Sequence, residues 1–273
     1  MIPSGMKRVA TAILGGAGMV LSLWLGPLWF WIVVMAVALI AQYELLHMLR
    51  LRDMPVDYVV AIVAGFFVML HVVWAYWYAG LGVVFLFYIL QLQSRGSEKR
   101  PMERLAGFTL SLLWPVAGLS FLAGMYVQLH AASGRQVAFP LMLVLLLFVW
   151  ASDSGAYYAG RALGRHKLAP AVSPGKTWEG AAGGLVAALG IAWAAVSYGP
   201  LEIPMYHALA LALIAATVGP VGDLLESLFK RSARIKDSGT WLPGHGGFLD
   251  RFDALILVAP AYWIYWNVMN IMP

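Results

Sequence analysis

A series of long apolar stretches restricts the fold of this chain more than any other feature. A helix that crosses the hydrocarbon core of a bilayer needs about 20 mostly apolar residues, and stretches of this size recur from end to end between short polar loops. Because 62% of the residues are hydrophobic and only 11% are charged, one soluble core could not bury this surface. We predict nine spans, at residues 8–25, 27–48, 56–73, 75–93, 105–127, 139–160, 177–199, 205–229 and 253–271.

The composition of these stretches indicates helices and argues against a membrane β-barrel. Barrel strands alternate between apolar and polar residues, whereas the stretch "LMLVLLLFVW" at residues 141–150 is apolar on every side. We therefore predict an all-α, polytopic integral membrane protein. Its N-terminal region, residues 1–104, would hold about four spans, and its C-terminal region, residues 105–273, about five spans and most of the polar motifs. The absence of cysteine excludes disulfides, thiolate nucleophiles and cysteine-ligated metals.

The distribution of basic residues predicts the orientation of the chain. All 18 Lys and Arg residues except Arg135 precede the first predicted span or follow an even-numbered one. Because cytoplasmic loops retain Lys and Arg, we expect the N-terminus in the cytoplasm and the C-terminus outside. The net charge of +5 is spread over these loops and does not form one basic domain, so no nucleic-acid partner is expected. Topology and attraction to anionic lipid head groups would explain most of these charges.

The loop after the sixth span combines an acid, several glycines and several cations. Asp153 follows directly on an apolar run, near the end of a span, where an unpaired carboxylate is costly. The stretch "SPGKTWEG" places Ser173, Lys176 and Thr177 just before a predicted helix, and a helix N-terminus is a natural anion site. Arg161 is a further cation that could hold phosphates. The alternative is an ordinary basic loop that caps a helix.

The eighth span contains two acids, Asp223 and Glu226, inside an apolar helix. At three residues apart they share a helix face. Two carboxylates at membrane depth repel each other unless a cation or a basic partner lies beside them. Glu44, at the end of the second span, is a third acid of this kind. A structural ion pair with a basic residue of another helix is the alternative to a functional site.

The polar stretch "KDSGTWLPGHGGFLDRFD", residues 236–253, supplies Asp237, Asp250 and Asp253 beside Lys236 and Arg251. Carboxylates without cysteine favour a hard cation such as Mg²⁺, which is typically shared with substrate phosphates. Cations interleaved with such acids suit phosphoryl or nucleotidyl transfer, because they neutralise charge on the phosphate oxygens. The glycines of this stretch would let the loop fold tightly. His245 could bind phosphate or could only order the loop.

The segment 227–253 resembles the signature of the phosphatidate cytidylyltransferases, also called CDP-diacylglycerol synthases. The signature positions present here are Ser227, Lys230, Arg231, Lys236, Asp237, Gly239, Pro243, His245, Gly246, Gly247, Asp250, Arg251 and Asp253. The upstream positions that also match are Asp153, Gly160, Arg161, Gly164, Arg165, Ser173, Pro174, Lys176, Thr177, Glu179 and Gly180. These matches cover the C-terminal half of the chain.

The resemblance implies an enzyme that makes CDP-diacylglycerol and pyrophosphate from CTP and phosphatidate. It implies a homodimer in the inner (cytoplasmic) membrane, surrounded by membrane lipids. It also implies a Mg²⁺-dependent site on the cytoplasmic face, which could hold a second cation such as K⁺. The implied metal ligands are Asp223 and Asp250, assisted by Asp153. The implied catalytic residues are Asp223, Asp250, Lys236, Arg251 and His245. The implied substrate-binding residues are Ser173, Lys176, Thr177, Arg161, Lys230, Arg231, Gly246 and Gly247.

Three other functions fit part of this pattern. A cation-coupled transporter also keeps carboxylates within its spans, although it would not need the basic, Gly-rich loops. A related lipid enzyme could use another nucleotide or another phosphorylated lipid, because contacts to phosphate and metal do not read the base or the acyl chain. A family member without activity could serve as a scaffold. The presence of every charged residue of the motif argues against this alternative.

Overall fold

The computed structural model describes residues 4–74, 82, 85, 86, 89, 100–199, 201–242 and 246–271, most of which are helical. The helices are α1 (Ser4–Leu25), α2 (Pro27–Arg50), α3 (Tyr58–Trp74), α4 (Pro101–Ser111), a π-helical turn (Leu112–Ala117), α5 (Gly118–Leu163), α6 (Trp178–Ser197), α7 (Met205–Ser232) and α8 (Leu249–Val268). Two short strands, β1 (Lys167–Ala169) and β2 (Ser173–Thr177), lie between α5 and α6.

Among the residues that the structure describes, four helical stretches are long and apolar enough to cross a membrane. They are Pro27–Arg50, Pro101–Leu163, Trp178–Ser197 and Met205–Ser232. Shorter apolar helices lie at Thr11–Leu25 and Tyr58–Leu70. The prediction of a helical membrane protein is thereby confirmed, whereas the count of nine spans and the orientation of the N-terminus stay predictions. The fourth predicted span, residues 75–93, lies largely outside the described residues.

Glycine and proline set the limits of the first two helices. Gly26 ends α1 with a φ of 116°, a backbone conformation that residues with a side chain rarely adopt. Pro27 then begins α2, where its fixed φ suits a first helical residue and its missing N–H costs nothing. The predicted break between residues 25 and 27 is therefore confirmed.

A single glycine also interrupts the longest helix. Helical hydrogen bonding runs through α5 from Gly118 to Leu163, but Gly134 has a φ of 72° and a ψ of 175°, which is not helical. The predicted spans 105–127 and 139–160 lie on either side of this interruption. The stretch is therefore two helices joined at Gly134, as the predicted loop between these spans requires.

The antiparallel pair of β1 and β2 departs from the all-helical prediction. Lys167 pairs with Thr177, and Ala169 pairs with Ser173. Pro174 and Gly175, a pair of residues typical of turns, are part of strand β2. A proline is accommodated there because a two-stranded sheet has edge positions that need no N–H donor.

The chain divides into two compact units. Their limits differ from those of the predicted regions 1–104 and 105–273, and the division into these two regions stays a prediction. The first unit comprises Met1–Val127 and Phe229–Phe252, and the second comprises Gln128–Leu228 and Asp253–Pro273. The first unit has a buried cluster that consists of Leu46, Ala61, Ala64, Phe108 and Leu112. In the same unit, the buried Gln42 ties three segments together, because its Nε2 donates to the Ala61 carbonyl at 2.9 Å and to Ser111 Oγ at 3.3 Å.

Candidate active site with two carboxylate clusters

In the second unit, small residues bring α5 and α6 into backbone contact. A Cβ added to Gly155 would lie 2.7 Å from both the Ala187 Cβ and the Gly183 carbonyl oxygen. A Cβ added to Gly184 would lie 2.7 Å from the Ser152 carbonyl oxygen. Glycine at these positions therefore permits a helix crossing that any larger residue would push apart.

This crossing fixes the start of α6 beside strand β2. Thr177 is the N-cap of α6, and its Oγ1 accepts a hydrogen bond from the Gly180 N–H at 3.1 Å, which satisfies one of the free donors of the first turn. The predicted helix start after Thr177 is confirmed. Glu179 holds the preceding loop, because its carboxylate accepts from the backbone N–H groups of Arg165 and His166 and lies 2.6 Å from His166 Nδ1.

Strand β2 directs Lys176 onto α7. Lys176 Nζ lies 2.8 Å from Asp223 Oδ2 and donates to the Pro220 carbonyl at 3.2 Å. The ion pair that we considered for Asp223 is therefore present, although its basic partner lies on a strand rather than on another helix. The Asp223 side chain stays 42% exposed and the Lys176 side chain 21% exposed. Both groups thus remain within reach of a ligand.

Three carboxylates of the second unit converge, and we call Asp223, Glu226 and Asp253 the acidic triad. One ligand oxygen from each lies within 4.8 Å of the other two. Glu226 is 1% exposed and Asp253 is 9% exposed. The shared face predicted for Asp223 and Glu226 brings both into the triad. Gly222 allows α8 to approach, because a Cβ there would meet the Asp253 carbonyl oxygen.

The chemistry of the triad fits a hard divalent cation. Like charges this close disfavour ionisation of all three groups unless a positive charge lies among them. A ligand set made only of carboxylate oxygens suits Mg²⁺ or Ca²⁺ and not a soft transition metal. The residues present are therefore suited to the metal that the sequence motif implies.

The first unit contains a different arrangement, which we call the anchor cluster and define as Glu44, Lys230, Ser238 and Asp250. Asp250 Oδ1 pairs with Lys230 Nζ. Asp250 Oδ2 accepts from the Ser238 N–H at 2.9 Å, the Ser238 hydroxyl at 3.0 Å and the Gly247 N–H at 2.8 Å. The Asp250 side chain is only 4% exposed. Its charge is thus matched by Lys230, and both of its oxygens accept hydrogen bonds from the protein.

The signature glycines make room for these carboxylates. Gly246 has a φ of 79°, and a Cβ there would lie 2.6 Å from Asp250 Oδ2. A Cβ on Gly247 would meet the Ser238 hydroxyl and both oxygens of Glu44. At Gly246 and Gly247 the backbone therefore packs closely, and the physical reason is the contact of both residues with the anchor cluster.

The remaining predicted site residues lie at accessible positions or outside the described residues. Ser173 is half-buried at the start of β2. Four cations and one acid are exposed, namely Arg161, Arg231, Lys236, Arg251 and Asp153. The Arg161 guanidinium donates to the Tyr157 hydroxyl at 3.2 Å. His245 lies outside the described residues.

The structure therefore groups the predicted metal ligands differently from the sequence motif. Asp223 joins Glu226, whose role the sequence left open, and Asp253, which was named there only as one of the nearby acids. Asp250 belongs to the anchor cluster. The three-residue spacing of Asp250 and Asp253 places both on one helix face, but it could not show that Asp253 meets the acids of α7 and Asp250 meets Lys230.

Comparison with known proteins gives consistent matches over the chain. A sequence profile described as "Cytidylyltransferase family" matches residues 6–269. The phosphatidate cytidylyltransferase of Haemophilus influenzae is 34% identical over 96% of this chain and 99% of its own length. The phosphatidate cytidylyltransferase of Bacillus subtilis is 31% identical over 93% of this chain and 94% of its own length. That of Brucella suis is 41% identical over 56% of each.

Proposed function

The chain is an enzyme that belongs to the cytidylyltransferase family, and on this premise we propose that it transfers CMP from CTP to phosphatidate. The products would be CDP-diacylglycerol and pyrophosphate, which makes the chain an enzyme of phospholipid biosynthesis. Two nearly full-length relatives are phosphatidate cytidylyltransferases, and this supports the choice of both substrates.

The reaction needs one bond to form and one to break. An oxygen of the phosphatidate phosphate forms a bond to the α-phosphorus of CTP. The bond between that phosphorus and the oxygen bridging to the β-phosphate breaks, and pyrophosphate leaves with the electron pair. A phosphate monoester is already ionised at neutral pH, so the nucleophile needs no general base. In-line displacement at phosphorus is then mainly a matter of positioning and charge neutralisation.

The acidic triad is the observation that carries this mechanism. Its three carboxylates would hold Mg²⁺, which would offset the charge that builds on the phosphate oxygens. Asp223 is the most exposed of the three and lies beside Lys176, so a triphosphate could meet a carboxylate-bound cation and an ammonium group together. Lys176 would give up part of its contact with Asp223 to pair with a phosphate oxygen.

The enzyme's location follows from its substrates and its helices. CTP is dissolved in the cytoplasm, whereas phosphatidate has its acyl chains in the bilayer and its head group at the interface. We propose that the enzyme lies in the inner membrane, acts at the cytoplasmic face, and works as a homodimer. The exposed cations Lys236 and Arg251 are candidates for binding substrate phosphates.

The decisive test measures pyrophosphate release by the full-length protein in detergent. Mg²⁺, CTP and phosphatidate are each omitted in turn, and CTP is replaced by UTP and by ATP. Release that requires all three components and falls with the other nucleotides supports the proposal. Equal release with UTP or ATP, or with a different phosphorylated lipid, would assign the chain to a related reaction.

A further inference from the structure

Glu44 lies far along the chain from every predicted catalytic residue, yet it contacts the segment that carries several of them. It is on α2 and is 2% exposed. Its Oε2 accepts from the Ser238 hydroxyl at 2.8 Å and from the Leu249 N–H at 2.8 Å, and its Oε1 accepts from the Phe248 N–H at 3.0 Å. These donors are 194 to 205 residues away in sequence.

The identity of the donors shows what this carboxylate does locally. Leu249 is the first residue of α8, and Phe248 precedes it, so both N–H groups belong to the start of a helix that cannot satisfy them internally. A carboxylate at this end of a helix also interacts favourably with the helix dipole. Glu44 therefore caps α8 from another helix.

The hydroxyl group of Ser238 lies between the carboxylates of Glu44 and Asp250, and its single proton can be donated to one of them at a time. Ser238 Oγ lies 2.8 Å from Glu44 Oε2 and 3.0 Å from Asp250 Oδ2. A Cβ on Gly239 or on Gly247 would meet the Glu44 carboxylate, so the loop is shaped to admit this group. Glu44 and Asp250 therefore each contact Ser238 at one end of the loop and a residue of 247–249 at the other.

We propose that Glu44 is a positioning residue that holds Ser238 against the start of α8 and thereby sets the placement of Lys236 and Arg251, which lie beside these two contact points. Glu44 itself is buried and would not touch a substrate. The consequence for catalysis rests on the function proposed above, whereas the anchoring of the segment stands on the hydrogen bonds alone.

Two substitutions separate anchoring from packing. Glu44→Gln keeps the size of the side chain but turns one acceptor into an NH₂ donor that faces the N–H of Phe248 or of Leu249. Glu44→Asp keeps both acceptor oxygens but shortens the side chain by one methylene. A packing role predicts that Gln is tolerated better than Asp, and an acceptor role predicts the reverse order.

The experiment measures hydrogen–deuterium exchange and pyrophosphate release on the full-length protein in detergent. For Glu44→Gln we expect exchange of the Phe248 and Leu249 amides to rise at least tenfold, with α6 unchanged, and kcat/KM for CTP to fall at least tenfold. Glu44→Asp should lie between Gln and the unsubstituted protein in both measurements. Glu202→Gln, the same chemical change at an exposed loop residue, is the matched control and should leave both unchanged.

The outcomes test the anchoring role and the proposed function separately. Three results would overturn the anchoring role. The first is unchanged exchange at Phe248 and Leu249, and the second is a uniform rise in exchange over the whole protein. The third is a Gln variant that lies closer to the unsubstituted protein than the Asp variant does. Lack of any CTP-dependent release by the unsubstituted protein would overturn the proposed function while the exchange data still test the anchor. If Glu44→Gln does not fold, Ser238→Ala removes one of the three hydrogen bonds and should give a smaller rise at the same two amides.

Discussion

The acidic triad and the anchor cluster both place carboxylates on apolar helices, but they differ in the balance of acids and donors around the carboxylate oxygens. In the anchor cluster, Asp250 faces an ammonium group, two backbone N–H groups and a hydroxyl. In the triad, Lys176 pairs with Asp223, but the oxygens of three carboxylates lie within 4.8 Å of one another. Carboxylates surrounded by donors are stable without a ligand and can hold a loop in place, whereas carboxylates that converge on each other favour a bound cation.

The largest effect expected from this difference is on the triad. Asp223→Asn removes a negative ligand at little cost in volume, so we expect kcat to fall about 1,000-fold, or about 4 kcal/mol in the barrier. The Mg²⁺ concentration that gives half-maximal activity should rise as well, because the site has lost charge. Pyrophosphate release across a Mg²⁺ titration measures both quantities. An unchanged Mg²⁺ dependence would mean that the triad is not the metal site.

The anchor cluster should respond differently to the same chemical change. Asp250→Asn leaves Lys230 without its counter-charge and puts an NH₂ group opposite N–H donors, so the loop should loosen and kcat should fall about 100-fold. The half-maximal Mg²⁺ concentration should stay as in the unsubstituted protein. If it rises as much as for Asp223→Asn, Asp250 is a metal ligand, as the sequence motif implies, and the distinction between the clusters fails.

Lys176 tests whether the ion pair in the triad serves binding or stability. Lys176→Met keeps most of the aliphatic stem and removes the charge, and we expect KM for CTP to rise about tenfold because a phosphate partner is lost. Lys176→Arg should recover part of this loss. A purely structural ion pair predicts a lower thermal midpoint with an unchanged KM, and initial-rate kinetics with a thermal melt in detergent separate these results.

The sequence predicted those parts of the fold that depend on local pattern. The lengths of the apolar runs predicted helical spans, and Thr177 in the stretch "SPGKTWEG" predicted the helix start that the structure has at Trp178. The β1 and β2 strands were missed because they are only three and five residues long and β2 contains Pro174 and Gly175, so neither shows strand periodicity.

The sequence could not predict how the acids are grouped. Which of Asp250 and Asp253 joins Asp223 depends on the rotation of α8 against α7, and a three-residue spacing leaves that undetermined. The role of Glu44 depends on contacts 194 to 205 residues away. Motif spacing identifies the residue types needed for the chemistry, and tertiary packing then decides which of them serve as ligands and which as supports.

The smallest effect on catalysis is expected at the crossing that carries Lys176 to the triad, where a substitution should change mainly the stability. Gly184→Ala would place a Cβ 2.7 Å from the Ser152 carbonyl oxygen, so α5 and α6 must separate, at a cost of about 1–3 kcal/mol. Gly190→Ala on the same helix meets nothing within 4 Å and is the matched control, with a gain of up to about 1 kcal/mol from helix propensity. Thermal midpoints in detergent should therefore move in opposite directions. Equal midpoints would mean that the crossing is loose enough to admit a methyl group, and the placement of Lys176 would then have to depend on its ion pair rather than on the helices beneath it.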